Sequence, residues 1–193
     1  MEAPDEVVDV PTPPTEIPVP DSHQEFIAAL EGPEAGALSA SIETGHKIFI
    51  GRIASCSKCH GEKGLGDGQT TDYDDWIKEW TMGIGIKPED REALTPLLAR
   101  GALPPINAKP RNFALGAFHG GSGRDDLYRR IQQGIEGSPM PAATFVSGQF
   151  EEDDIWHLIN YIRSLQDTPE EEGDAQDQGV AAALDEHADR FES

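Results

Sequence analysis

Cysteine occurs twice in this chain of 193 residues, and both copies lie in the run Cys56-Ser57-Lys58-Cys59-His60. C-x-x-C-H is the attachment pattern of c-type haem, in which two thioether bonds fix the porphyrin and the adjoining imidazole stands next to the iron. A group of that size, tied to one short stretch, has to be enclosed by the rest of the fold. The motif therefore constrains the architecture more than any other feature. The same residues would also suit a zinc site or a redox dithiol. Zinc asks for a fourth ligand, commonly another Cys or His, and a dithiol for a neighbouring βαβ pattern; neither is visible around the motif.

The hydrophobic fraction of 37% is low, and both ends are polar, so the packed part is smaller than the chain. An enclosed haem would itself supply apolar core to a domain that buries little surface of its own. Asp and Glu outnumber Lys and Arg by 36 to 15, a formal charge of −21. Such a chain repels nucleic acid and anionic membrane surfaces, and an electrostatically steered partner should be basic. No stretch approaches the roughly 18 apolar residues of a membrane span, and no signal-peptide pattern stands at the start. Because covalent haem c is installed outside the cytoplasm, the expected location is periplasmic or otherwise extracytoplasmic. A removed leader or a membrane anchor upstream of Met1 is expected with it.

Residues 1–21 carry Pro4, Pro11, Pro13, Pro14, Pro18 and Pro20 and read as an extended linker or tether. Residues 22–40 read as a short helix, capped by Ser22 and carrying Phe26, Ile27 and Leu30, with a connector. From 41 to 166 the pattern is that of a helical domain. One helix over Ser41–Ala54 places Ile42, Gly45, Phe49 and Ile53 on one face. Gly61–Gly68 holds four glycines and reads as an irregular loop. Helical periods follow at 72–82 with Tyr73, Trp76, Ile77 and Trp80, from Pro88, at Arg124–Gly134, and at Glu151–Leu165 with Ile155, Leu158, Ile159 and Ile162 inward. Residues 167–193 are acidic and expected to be disordered, with Val180, Leu184 and Phe191 at helical spacing.

Four features, in order, resemble the class I c-type cytochromes: Gly45-x-x-x-Phe49 before the motif, the run Gly64 to Gly68 after it, the loop Gly137-Ser138-Pro139-Met140-Pro141, and Leu158 with Tyr161 in the last helix. The resemblance covers about residues 41–165. It implies an all-α class I cytochrome c fold wrapped around one covalent haem, with flexible tails and a segment inserted between Asp67 and Phe113. It implies haem c held through Cys56 and Cys59, with His60 and Met140 as axial ligands. Gly45 would let the last helix approach, with Phe49 and Tyr161 filling the crossing. Met82, His119 and His157 are the rival sixth ligands, the last two expected at the surface.

The resemblance also implies that His60 donates its free ring N–H to a carbonyl of a proline-bearing segment, Pro110 or the Pro104-Pro105 pair. Lys109-Pro110-Arg111-Asn112-Phe113 is similar to the corresponding segment of a respiratory subgroup. Arg111 there would pair with a haem propionate, or be an ordinary surface arginine. The insert, with Trp76 and Trp80, would cover a haem edge or make a subunit contact. The implied function is one-electron transfer between redox protein partners, not enzyme catalysis. The alternatives are a haem subunit or fused module of a membrane-bound respiratory complex, and a ligand-binding sensor or peroxidase.

Overall fold

The computed structural model describes residues 9–69 and 72–166, so the expectations for residues 1–8 and for the acidic tail from 167, its helix included, fall outside it. The described residues form seven α-helices and no strand: α1 His23–Leu30, α2 Ala35–Ile50, α3 Cys56–His60, α4 Asp75–Gly83, α5 Arg91–Leu98, α6 Arg124–Gln133 and α7 Asp154–Ser164. The fold is thus all-α, as expected. Ser22 caps α1 in a reciprocal capping box with Glu25. α2 begins six residues before the expected start at Ser41.

The last helix is the centre of the molecule. Every residue from Ile155 to Arg163 except His157 is buried, because α2, α6 and the N-terminal segment surround α7. α2 crosses it at Gly45, where a Cβ would stand 2.6 Å from the carbonyl carbon of His157 and 2.8 Å from the Cβ of Tyr161. Only glycine lets the helices come this close. Phe49 packs its ring 5.1 Å from that of Tyr161, and His46 packs on the same ring at 5.0 Å. His157 is not the surface residue the sequence suggests: its Nδ1 lies 2.7 Å from the Ser41 hydroxyl, which also accepts from Asn160 Nδ2 at 2.8 Å. The crossing is sealed by a small polar network as well as by apolar contact.

Residues 9–21 are not a free linker. Ile17 and Val19 belong to the hydrophobic core. The Pro18 carbonyl accepts from Asn160 Nδ2 at 2.9 Å, Val19 from Arg124 at 3.0 Å, Asp21 from Arg163 at 3.0 Å, and Pro20 from Arg163 as well. Arg124 also pairs with the Asp21 carboxylate at 2.7 Å. Proline keeps this backbone extended and gives it no N–H, so its carbonyls are free to be taken up by side-chain donors from α6 and α7.

In the inserted segment α4 is capped by Asp74 and buries Ile77 and Thr81. α5 begins at Arg91, three residues beyond Pro88, because the Asp90 side chain accepts from the Ala93 N–H and serves as its cap. The first N–H of α4, that of Asp75, donates to the Gly137 carbonyl at 3.0 Å. The insert therefore touches the loop that carries Met140.

Gly45→Val in the haem-loaded full chain should cost roughly 1–3 kcal/mol, the range for an overpacked contact, read as a lower urea midpoint. Gly36→Ala, where the added Cβ meets nothing within 4 Å, should leave the midpoint unchanged or raised. Equal midpoints for both variants would contradict the close crossing.

Candidate haem-attachment site

Ser55 takes a left-handed conformation, φ 51°, and its hydroxyl donates to the Arg52 carbonyl at 2.6 Å, closing the turn that ends before the motif. The motif then forms the single helical turn α3. Cys56, Cys59 and His60 stand three and four residues apart, so both sulfurs and the imidazole project from one side of that turn. All three are half-buried while Lys58 is exposed. Burial, with the Cys59 thiol beside it, pushes the Cys56 thiol up to about 11, so it is kept protonated.

His60 Nδ1 lies 3.2 Å from the carbonyl of Arg111. Burial lowers the pKa of the imidazole, with this bond working the other way, so the ring is neutral at neutral pH. A neutral ring facing a carbonyl carries its proton on Nδ1 and leaves the Nε2 lone pair for a metal. The Phe113 ring stacks on the imidazole at 4.5 Å and 23°. Phe113 in turn meets Phe49 edge-on at 6.3 Å, which ties the histidine to the α2–α7 crossing.

The acceptor is thus neither Pro110 nor the Pro104-Pro105 pair. The glycine loop sets the register: the Phe113 N–H donates to the Gly64 carbonyl and the Gly66 N–H to that of His60, each at 2.8 Å. The Pro110 carbonyl faces the α-carbon of Gly66, so close that a Cβ there would run into it, and the next carbonyl, that of Arg111, is turned toward the imidazole. Gly66 has φ 72° and meets the backbone of 110–111. Two independent requirements therefore select glycine at one position.

Met140 is half-buried in a loop folded back on the end of α6. Its N–H donates to the Ser138 hydroxyl at 3.2 Å, its carbonyl accepts from Ile135 at 3.0 Å, and the Ala143 N–H donates to the Ile131 carbonyl at 3.0 Å. Among its rivals, Met82 is 74% exposed, His119 is exposed, and His157 is held by Ser41. Cys56, Ile131, Phe118 and Ala143 all pack against the same hydrophobic core, so the motif and the base of the Met140 loop share one support. The side chain of Arg111 is half-buried and makes no salt bridge among the described residues. No local pattern announces the stack of Phe113 on His60, although Phe113 stands in the segment Lys109–Phe113.

These residues suit a haem: two thiols and a neutral imidazole on one side of a turn, one ring nitrogen engaged and the other free, and an aromatic wall beside them. An all-helical chain with that turn between its first long helix and a glycine loop is a class I c-type cytochrome domain. The chain belongs to the cytochrome c family, whose family model matches residues 42–166. Membership implies covalently bound haem c and haem-based electron transfer. Among solved structures, a chain of the reducing HAO-like protein complex of Kuenenia stuttgartiensis is similar, with 28% identity and a TM-score of 0.45. That likeness covers 66% of this chain and 44% of the other, so this chain spans less than half of it. No curated protein matches. No helix among the described residues is long and apolar enough to cross a membrane.

Gly66→Ala should displace the 110–111 backbone from His60 and cost at least the ~1–2 kcal/mol of a left-handed non-glycine residue. The expected result is a lower yield of covalent haem protein and a lower thermal midpoint. Normal yield and midpoint would show that the loop does not hold the histidine through that contact.

Proposed function

We propose that this chain carries one haem c, fixed through Cys56 and Cys59 with His60 and Met140 as axial ligands, and passes single electrons between redox proteins outside the cytoplasmic membrane. The observation that carries this reading is the His60–Arg111 hydrogen bond within a C-x-x-C-H turn, which presents a neutral imidazole with Nε2 free. When bound, the haem supplies a one-electron iron couple. His60 is held by backbone and by Phe113, so its position does not depend on a flexible partner. Met140 offers a soft thioether that favours ferrous iron and raises the potential relative to a second histidine. Pro139 and Pro141 restrict the backbone on either side of it. With both axial positions taken by side chains, no coordination site is left for a substrate, which favours electron transfer over chemistry at the iron. The acidic surface suits a basic redox partner.

A second reading, a haem subunit or module of a larger membrane-associated oxidoreductase complex, is supported by the insert. Trp76, Met82, Leu103 and Ile106 are 58%, 74%, 67% and 68% exposed, and apolar groups so placed suit a permanent neighbour. A mobile carrier would isolate as a monomer after mild extraction, whereas constant company of other redox subunits would favour the complex. A sensor or peroxidase would need a labile Met140 and would bind carbon monoxide rapidly when reduced.

The protein matured in a periplasmic cytochrome-assembly host should show low-spin haem with the weak far-red sulfur-to-ferric-iron band. Met140→Ala should keep the haem attached, lose that band, lower the potential and admit carbon monoxide; an unchanged spectrum would refute Met140 as ligand. His60→Ala should prevent normal maturation, and full recovery of low-spin holoprotein would contradict its role.

A further inference from the structure

A cleft of about 340 Å³ lies between the end of α2 and the tight turn that closes at Phe150, whose N–H donates to the Val146 carbonyl at 2.9 Å. Ile48, Ile53, Ala54 and Phe150 give it an apolar lining, and Lys47 and Arg52 stand among them. No Asp or Glu among the described residues lines it. Arg52 is exposed and makes no ion pair among the described residues. Lys47 meets Glu43 at 2.7 Å on the exposed side of α2, a contact of little energetic weight. Ile50 and Ile53 are 48% and 42% exposed at this end of the helix, and Phe145 packs on Phe150 at 5.4 Å. Apolar surface and positive charge thus coincide in a chain of net charge −21, so the cleft suits an occupant that is acidic and apolar at once. It also borders the C-x-x-C-H turn, because the Ala54 carbonyl accepts from the Cys56 thiol at 3.7 Å.

The chain itself carries such an occupant. Residues 167–193 hold ten acids against one arginine, Arg190. Val180, Leu184, Ala188 and Phe191 follow one another at intervals of four, four and three, so a helix would bring them to one face. Asp185 and Glu192 fall along one border of that stripe. The fourteen residues from Asp167 to Val180 span up to about 46–50 Å, whereas a domain of this size has a radius of gyration of about 15 Å. Every face of the domain is therefore within reach, and the tether holds the segment at an effective concentration no dilute partner matches. We propose that residues 180–192 bind in this cleft as an amphipathic helix. Its apolar stripe lies against Ile48, Ile53 and Phe150, and Asp185 and Glu192 face Lys47 and Arg52. Seated there, the segment covers the surface next to Cys56 and competes with any protein that docks on it. The inference stands on the cleft, the charge and the reach, and does not depend on the haem reading.

The test uses the full chain from the cytochrome-assembly host, with the photo-crosslinker p-benzoylphenylalanine in place of Phe191 and the linked peptides mapped by mass spectrometry. The expected result is a link within one molecule to residues 44–54 or 145–150, at a yield that dilution does not change. Lys47→Glu with Arg52→Glu should lower that yield several-fold. Asp185→Lys with Glu192→Lys should do the same while leaving the cleft's own residues untouched, and all four changes together should restore it. High salt should weaken the link in the parent chain, because the charges that face one another are exposed to solvent. Absence of a link to both stretches, or links spread over other faces, would overturn the proposal. Links found only in products of twice the mass would place a second copy in the cleft and overturn it as well. A loss of yield in the cleft variant that the four changes together do not reverse would overturn the assigned charge pairing.

Discussion

The contact between α2 and α7 at Gly45 carries the rest of the structure. Because α2 can lie against the backbone of α7 there, Phe49 reaches Tyr161 on one side and Phe113 on the other. Phe113 is the residue stacked on His60. A side chain at position 45 would move α2 outward, and the error would pass through Phe49 and Phe113 to the imidazole. The helix crossing is therefore part of the site, although no residue in it bears chemistry. Close packing transmits such displacements because interiors are nearly as dense as organic crystals.

The polar groups inside the fold obey a complementary rule. Buried polar groups stay inside a protein only when their hydrogen bonds are met. α7 brings Asn160 and Arg163 inside, and the proline-rich segment 9–21 supplies carbonyls that no backbone N–H claims. Each eases the other's problem: both terminal guanidinium nitrogens of Arg163 and the Asn160 amide nitrogen find carbonyl acceptors, and an irregular stretch gains a fixed place against the core. Ile17 and Val19 add apolar burial to that arrangement. Deleting the segment would leave the Arg163 guanidinium with the Ser122 carbonyl at 3.4 Å as its one acceptor among the described residues, and stripping a buried charge of partners costs more than losing an exposed pair.

Periodic and motif-borne features were legible in the sequence. Gly45, Phe49, Leu158 and Tyr161 sit where helical spacing and the family pattern place them, and the C-x-x-C-H turn and glycine loop follow in order. What the sequence concealed are contacts between segments far apart in the chain. Prolines at 11–20 have the composition of a linker, and nothing local shows that Asn160, Arg163 and Arg124 will bind their carbonyls. His157 has the look of a surface residue because its partner, Ser41, is more than a hundred positions away. The acceptor for His60 differs by one residue from the expected proline, since register depends on how Gly64 and Gly66 meet the 110–113 backbone. α5 starts late because an aspartate cap outweighs the proline before it. The placement of Arg130 over Phe118 is equally invisible, because it joins a helix to a loop.

The distribution of charge separates two tasks. The chain is strongly acidic, but exposed charges are screened within about 8 Å at physiological ionic strength, so they weigh more on encounters with other molecules than on a group held at His60. Arg111 and Arg130 are half-buried beside the residues that support His60, where screening is weaker. A positive charge near a redox centre would stabilise its reduced form over its oxidised form and so raise its potential, the same direction as a thioether ligand. Acid on the outside and half-buried cations near His60 thus divide the charge of the chain between its surface and the surroundings of the proposed haem site.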